Sequence, residues 1–171
     1  TKMGFDSGTS LVVDGVTYTF PVGGATMVVG DSTDLSTAFT GACTYSAFTD
    51  LTPDDCGTGN SMGAGGKGVT AAMSYAFDSG FSLAGGVTSG NKEILGDEAD
   101  AFGLNAAYSA DSYGVAVAYV SDDMGSESSV DSTTYWGLNG YYTFDLASLS
   151  VGFETSDDGT TEKSGYFVGL S

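Results

Sequence analysis

The chain has 171 residues with 22 Asp plus Glu against 4 Lys, no Arg and no His, a net charge of −18. That balance excludes a nucleic-acid surface, which needs clustered cations. Without His, a Ser-His-Asp triad, a Cys-His pair and the common His-ligated zinc site are also excluded. Hydrophobic residues make up 41% and aromatics 12%, too much for a disordered acidic tail. The 27 glycines show no G-X-Y period, so the chain is not collagen-like. No apolar run is long enough for a transmembrane helix. The length suits one domain, residues 1–171.

Thr1–Gly8 is short for a strand, and its Asp6-Ser7-Gly8-Thr9 matches the D-[ST]-G-[ST] loop of aspartic proteases. That chemistry needs two aspartates sharing a proton; one copy is present, and the string also reads as an ordinary turn before a strand. Leu11–Phe20 and Ala25–Gly30 come next as strands around the turn Phe20–Gly24. A long polar connection, 31–66, succeeds them. It carries Asp50, Asp54 and Asp55, and a cysteine pair, Cys43 and Cys56, separated by a polar stretch. The pair reads as a disulfide formed outside the reducing cytosol; two free thiols are the other reading.

From residue 67 onward the pattern is period two. Val69, Ala71, Met73, Tyr75 and Phe77 share one face, opposite Thr70, Ala72, Ser74 and Ala76. The same alternation predicts strands over 67–77, 80–88, 100–110, 113–121, 133–144, 147–155 and 164–171. Tight turns at 77–81, 110–113 and 144–147 alternate with longer acidic connections at 89–99, 122–132 and 156–163. An up-and-down meander built this way puts the tight turns at one end and the long connections at the other. Sixteen of the 22 acids lie in or beside the long connections and three lie in tight turns. The other three are Asp6, near the start, and Asp14 and Glu154, within the alternating strands.

One strand face is bulky and apolar, with Val69, Met73, Val117, Trp136 and Leu138 among its members. The other is small and nearly uncharged, with Thr70, Ser74, Asn105, Asn139, Ser150 and Glu154. A soluble sandwich carries Lys, Glu and Arg on its outer face, so the small-residue face is expected to line a confined aqueous space and the bulky one to meet lipid. Phe77, Phe81, Tyr108, Tyr113, Tyr142 and Phe144 cluster near the tight turns, where an interfacial girdle belongs. The expected fold is all-β: an antiparallel up-and-down transmembrane β-barrel with about nine or ten strands in this chain. Its pore-lining residues would be the six small and polar ones, and its lipid-facing residues the five bulky ones.

Val12–Asp34 (VVDGVTYTFPVGGATMVVGDSTD), Thr133–Phe144 (TTYWGLNGYYTF), Ala147–Glu154 (ASLSVGFE) and Gly165–Ser171 (GYFVGLS) together resemble cyanobacterial outer-membrane porins of the carbohydrate-selective, OprB-like group. The resemblance implies a larger barrel of roughly 16 strands, of which this would be the C-terminal part. It also implies passive diffusion of small hydrophilic solutes and ions across the bacterial outer membrane, without an enzymatic step. Homo-trimers are an analogy at the level of the fold. In porins a long loop often folds into the lumen; 31–66 is the candidate, and an external loop stapled by Cys43 and Cys56 is the alternative. Folded inward, Asp50, Asp54 and Asp55 would form a cation-favouring constriction. Ser121–Asp131 (SDDMGSESSVD) is not an EF-hand loop, so no cofactor is expected beyond diffuse Ca²⁺ or Mg²⁺ on the acidic loops. The competing function is a soluble calcium-binding or adhesive β-sandwich surface protein.

Overall fold

A computed structural model of the chain describes residues 2–7, 11–43, 68–90, 100–123 and 132–171. Ten strands form one antiparallel sheet in chain order: β1 Lys2–Ser7, β2 Leu11–Val22, β3 Ala25–Thr33, β4 Gly68–Ala76, β5 Phe81–Ser89, β6 Asp100–Ser109, β7 Tyr113–Asp122, β8 Thr133–Thr143, β9 Ser148–Asp157 and β10 Glu162–Leu170. Each strand pairs with its sequence neighbours, so the topology is an up-and-down meander with β1 and β10 as edges. No pairing joins these edges among the described residues. Among them, too, no helix is long and apolar enough to cross a membrane.

The turns show why the chain reverses where it does. Gly80 closes the β4–β5 turn at φ +87°, and a Cβ there would lie 2.4 Å from the Ser109 carbonyl oxygen. Only glycine combines that backbone with that approach. The connection at 156–163 is shorter than the acidic run suggests. Ser156 and Asp157 complete β9, Glu162 and Lys163 begin β10, and only 158–161 remain as a turn. There the Asp158 carboxylate accepts from the backbone N–H of Thr160 (2.9 Å) and Thr161 (2.7 Å). Polar turn residues extended the apparent loop because the ladder between β9 and β10 does not need apolar side chains.

Those two N–H groups, with a lesser contribution from Lys163, hold the Asp158 carboxyl below its ordinary range. The folded turn therefore favours the charged form. Its contribution is fully present above the carboxyl's unfolded pKa and is lost as pH falls through the lowered folded value. NMR titration should find Asp158 titrating below the ordinary aspartate range. Asp158→Ala should abolish the acid-side loosening of this turn.

The paired rows climb across the sheet. The row through Ala25 begins at the β2–β3 turn, passes Tyr75, Leu83, Ala106 and Val117, and is in mid-strand by Leu138 and Phe153. This cumulative stagger is what tilted strands of a curling sheet produce, and the open sheet can be part of a barrel.

The two faces differ as the alternation predicts. Met73, Trp136 and Leu138 are each about half exposed, and Leu104 is 62% exposed. Val117 is exposed as well, while Val69 is half-buried. Aromatic pairs occupy two bands on this bare face. Tyr75–Phe77, Phe81–Tyr108 and Tyr142–Phe144 lie toward the tight turns. Phe102–Tyr119 and Tyr119–Trp136 lie toward the long connections. The second band is not evident in sequence because its members, on three different strands, meet only through register.

Candidate functional site

The small-residue face is not bare. Residues 34–43, the first part of the long connection, run across it as a strap. The departure begins at the end of β3, where pairing with β4 shifts between Gly30 and Thr33 and Ser32 takes φ +53°. An irregularity of this kind bends a strand and redirects the chain beyond it. The root is then tied down: the Thr70 hydroxyl donates to the Thr33 carbonyl oxygen (2.8 Å) and lies 2.7 Å from the Thr88 hydroxyl. With its proton committed to Thr33, Thr70 accepts from Thr88. Asp34 caps the 3₁₀ turn Leu35–Ala38 by accepting from the Ser36 N–H at 3.0 Å.

From there the strap descends over a floor of alanines and one glycine. Leu35, fully buried, packs with Ala101, Val120, Phe39 and Tyr135. Ala38 meets Val28, Ala72 and Ala84; Ala42 meets Ala107, Ala116 and Tyr141. Burying Leu35 alone contributes on the order of 1.5–3 kcal/mol. Gly103 marks the tightest point: a Cβ there would meet Leu35 Cδ1 at 2.7 Å and Phe39 Cζ at 2.9 Å.

Two asparagines grip the strap's backbone. Asn105 Oδ1 accepts from the Thr40 N–H (2.8 Å), and its Nδ2 donates to the Thr40 carbonyl (3.2 Å) and to the Val117 carbonyl (3.0 Å). Asn139 Oδ1 accepts from the Ala42 N–H. Its Nδ2 is buried with no partner among the described residues. A strap lacking its own ladder must satisfy its peptide groups somehow; side-chain amides, each offering a donor and an acceptor, do so here.

The six predicted pore-lining residues all lie on this face, but they are not an open wall. Thr70, Asn105, Asn139, Ser150 and Glu154 are no more than 4% exposed, and Ser74 is half-buried. The expectation of a solvent-lining role is corrected for Thr70, Asn105 and Asn139, which hold the strap or its root. Ser150 and Glu154 are buried and partnered. Glu154 sits between Gly137 and Gly165 in the cross-strand rows, which leave room for its side chain. The face also carries bulk that its small-residue pattern did not advertise. Tyr141 lies over Gly114 and Phe167 over Gly152, each its direct cross-strand partner. An aromatic ring covering a facing glycine restores the packing that the missing side chain gives up.

Asp50, Asp54, Asp55 and Cys56 lie outside the described residues. Cys43, at the far end of the strap, is not free. Among the described residues no group of three or more His, Cys, Asp or Glu could hold a metal ion. No protein-family model matches this chain, and no curated protein matches it.

Proposed function

We propose that this chain is the strand meander of an outer-membrane porin, a β-barrel that lets small hydrophilic solutes and cations diffuse passively. The observation that carries this reading is the bare face: Leu104, Leu138, Trp136 and Met73 are each half or more exposed, in a band free of charge and bordered by aromatics, and among the described residues no second layer covers them. In water so large an apolar patch would be an association hazard. Against hydrocarbon it is the face that β-barrels present. Lipid offers the backbone no partners, so the edges β1 and β10 must be paired in the assembled barrel. Further strands, from a longer chain or from neighbouring copies, would complete it.

A soluble adhesive sandwich would need a second sheet over Trp136, Leu138 and Tyr142. Among the described residues nothing covers them, and each is about half exposed. The strap on the opposite face gives the lumen a plug of polypeptide, and a Cys43–Cys56 link would fasten its far end. The net charge of −18 concentrates cations and repels anions at the rim, with diffuse Ca²⁺ or Mg²⁺ as its counterions. In planar bilayers under a KCl gradient, the full-length protein is expected to reverse at potentials favouring K⁺ over Cl⁻. Anion preference would remove the acidic-field argument, and a protein that stays monomeric in water without detergent would remove the porin reading.

A further inference from the structure

We infer that Asn105 and Asn139 are positioning residues that latch the strap against the inner wall, and that their grip sets the aperture of the pore. The aperture assignment rests on the porin reading; the latch itself does not. Both asparagines are almost completely buried, at 4% and 2% exposure, and both bind backbone rather than side chains of the strap. They stand on different hairpins, Asn105 on β6 and Asn139 on β8, and they take Thr40 and Ala42, two residues apart along the strap. Between Ala38 and Cys43, which has a partner of its own, the strap otherwise rests on packing of Phe39 and Ala42 against the sheet. Such contacts are non-directional, so the amides decide where the backbone lies.

The two latches are chemically unequal, which makes them testable. Asn105 uses its acceptor and both donors, to Thr40 N–H, Thr40 O and Val117 O. Asn139 uses its acceptor on Ala42, and its Nδ2 has no partner among the described residues. Asn139→Asp keeps an acceptor oxygen in either protonation state and gives up a donor that has no partner among the described residues. Asn105→Asp gives up two donated bonds and turns a carboxyl toward two carbonyls.

The experiment is amide hydrogen exchange on the full-length protein in lipid vesicles, paired with single-channel recording. Asn105→Ala, Asn105→Asp and Asn139→Ala should speed exchange at Thr40 and Ala42 by about tenfold or more. Asn139→Asp should retain protection at Ala42. The amides of Leu138 and Phe153, in the β8–β9 ladder, report whether the sheet itself survives. If a variant loses them too, the contrast between Asn139→Asp and Asn105→Asp carries the test. Equal exchange in those two Asp variants overturns the latch. In recordings, the variants that free the strap should show a larger conductance than wild type. Wild-type channels with no such change overturn the aperture assignment alone. A wild type that forms no channel overturns the porin reading and the aperture with it, while the exchange result still decides the latch.

Discussion

Leu138→Arg is expected to destabilise the protein in lipid by about 2–4 kcal/mol, the cost of a cation near the bilayer midplane on the outside of a barrel. Leu138 is 52% exposed and sits in the row between Val117 and Phe153. One row toward the long connections lies the Tyr119/Trp136 pair, and toward the tight turns lies Tyr142 beside Tyr113. It is therefore flanked by both aromatic bands and has no nearby rim for an arginine to reach. Denaturant titration in vesicles would read the loss as a folded fraction reduced between about thirtyfold and a thousandfold. In water the sign reverses. An arginine on a half-exposed position of a soluble sheet costs little and breaks an apolar patch. A Leu138→Arg protein as stable as wild type in vesicles would contradict the membrane assignment. This single side chain separates the two readings more sharply than solubility does, because it tests one face at one depth.

Gly103→Val is expected to cost about 1–3 kcal/mol by overpacking and to push the strap off its seat. The added Cβ alone would stand 2.7 Å from Leu35 Cδ1, 2.9 Å from Phe39 Cζ and 3.0 Å from Val120 Cγ2. Three neighbours on two elements would have to yield together. Leu35→Ala, at a fully buried position, is expected to cost about 2–5 kcal/mol by the opposite defect, a void. In the double variant the valine partly occupies the space the leucine vacates. Its destabilisation should fall short of the sum of the singles, with a coupling of about 0.5–3 kcal/mol. Denaturant titration of the four proteins measures this directly. Additive losses would mean that Leu35 and Gly103 do not share a contact surface in the folded protein.

The membrane and lumen assignments of the two faces explain different things about the composition. On the porin reading, a face that meets hydrocarbon must lack charge, which would account for the bulky side. The small side has a cause that does not depend on that reading. Ala72, Ala84, Ala101, Ala107 and Ala116 are small because polypeptide lies on them. An alanine under a strap and an alanine facing water look identical in a list of residues. That is why Asn105 and Asn139 read as wet wall when they are contacts.

The amino-acid sequence alone determined the strands, their order and their two faces. Alternation is a local property with period two, and the turn chemistry of Gly80 or Gly23-Gly24 is local too. The strand boundaries from Leu11 onward accordingly fall within a few residues of the structure, with two exceptions: Lys2–Ser7 pairs as β1 although Thr1–Gly8 reads as short for a strand, and at 156–163 polar residues continue a ladder. Only the tertiary structure decided what crosses the small face. The strap leaves β3 and joins Thr40 to Asn105 on β6 and Ala42 to Asn139 on β8. No periodicity encodes a pairing between a loop and a strand distant in sequence. It is set by shape, by where alanines and Gly103 leave room, and by which buried amides must find partners.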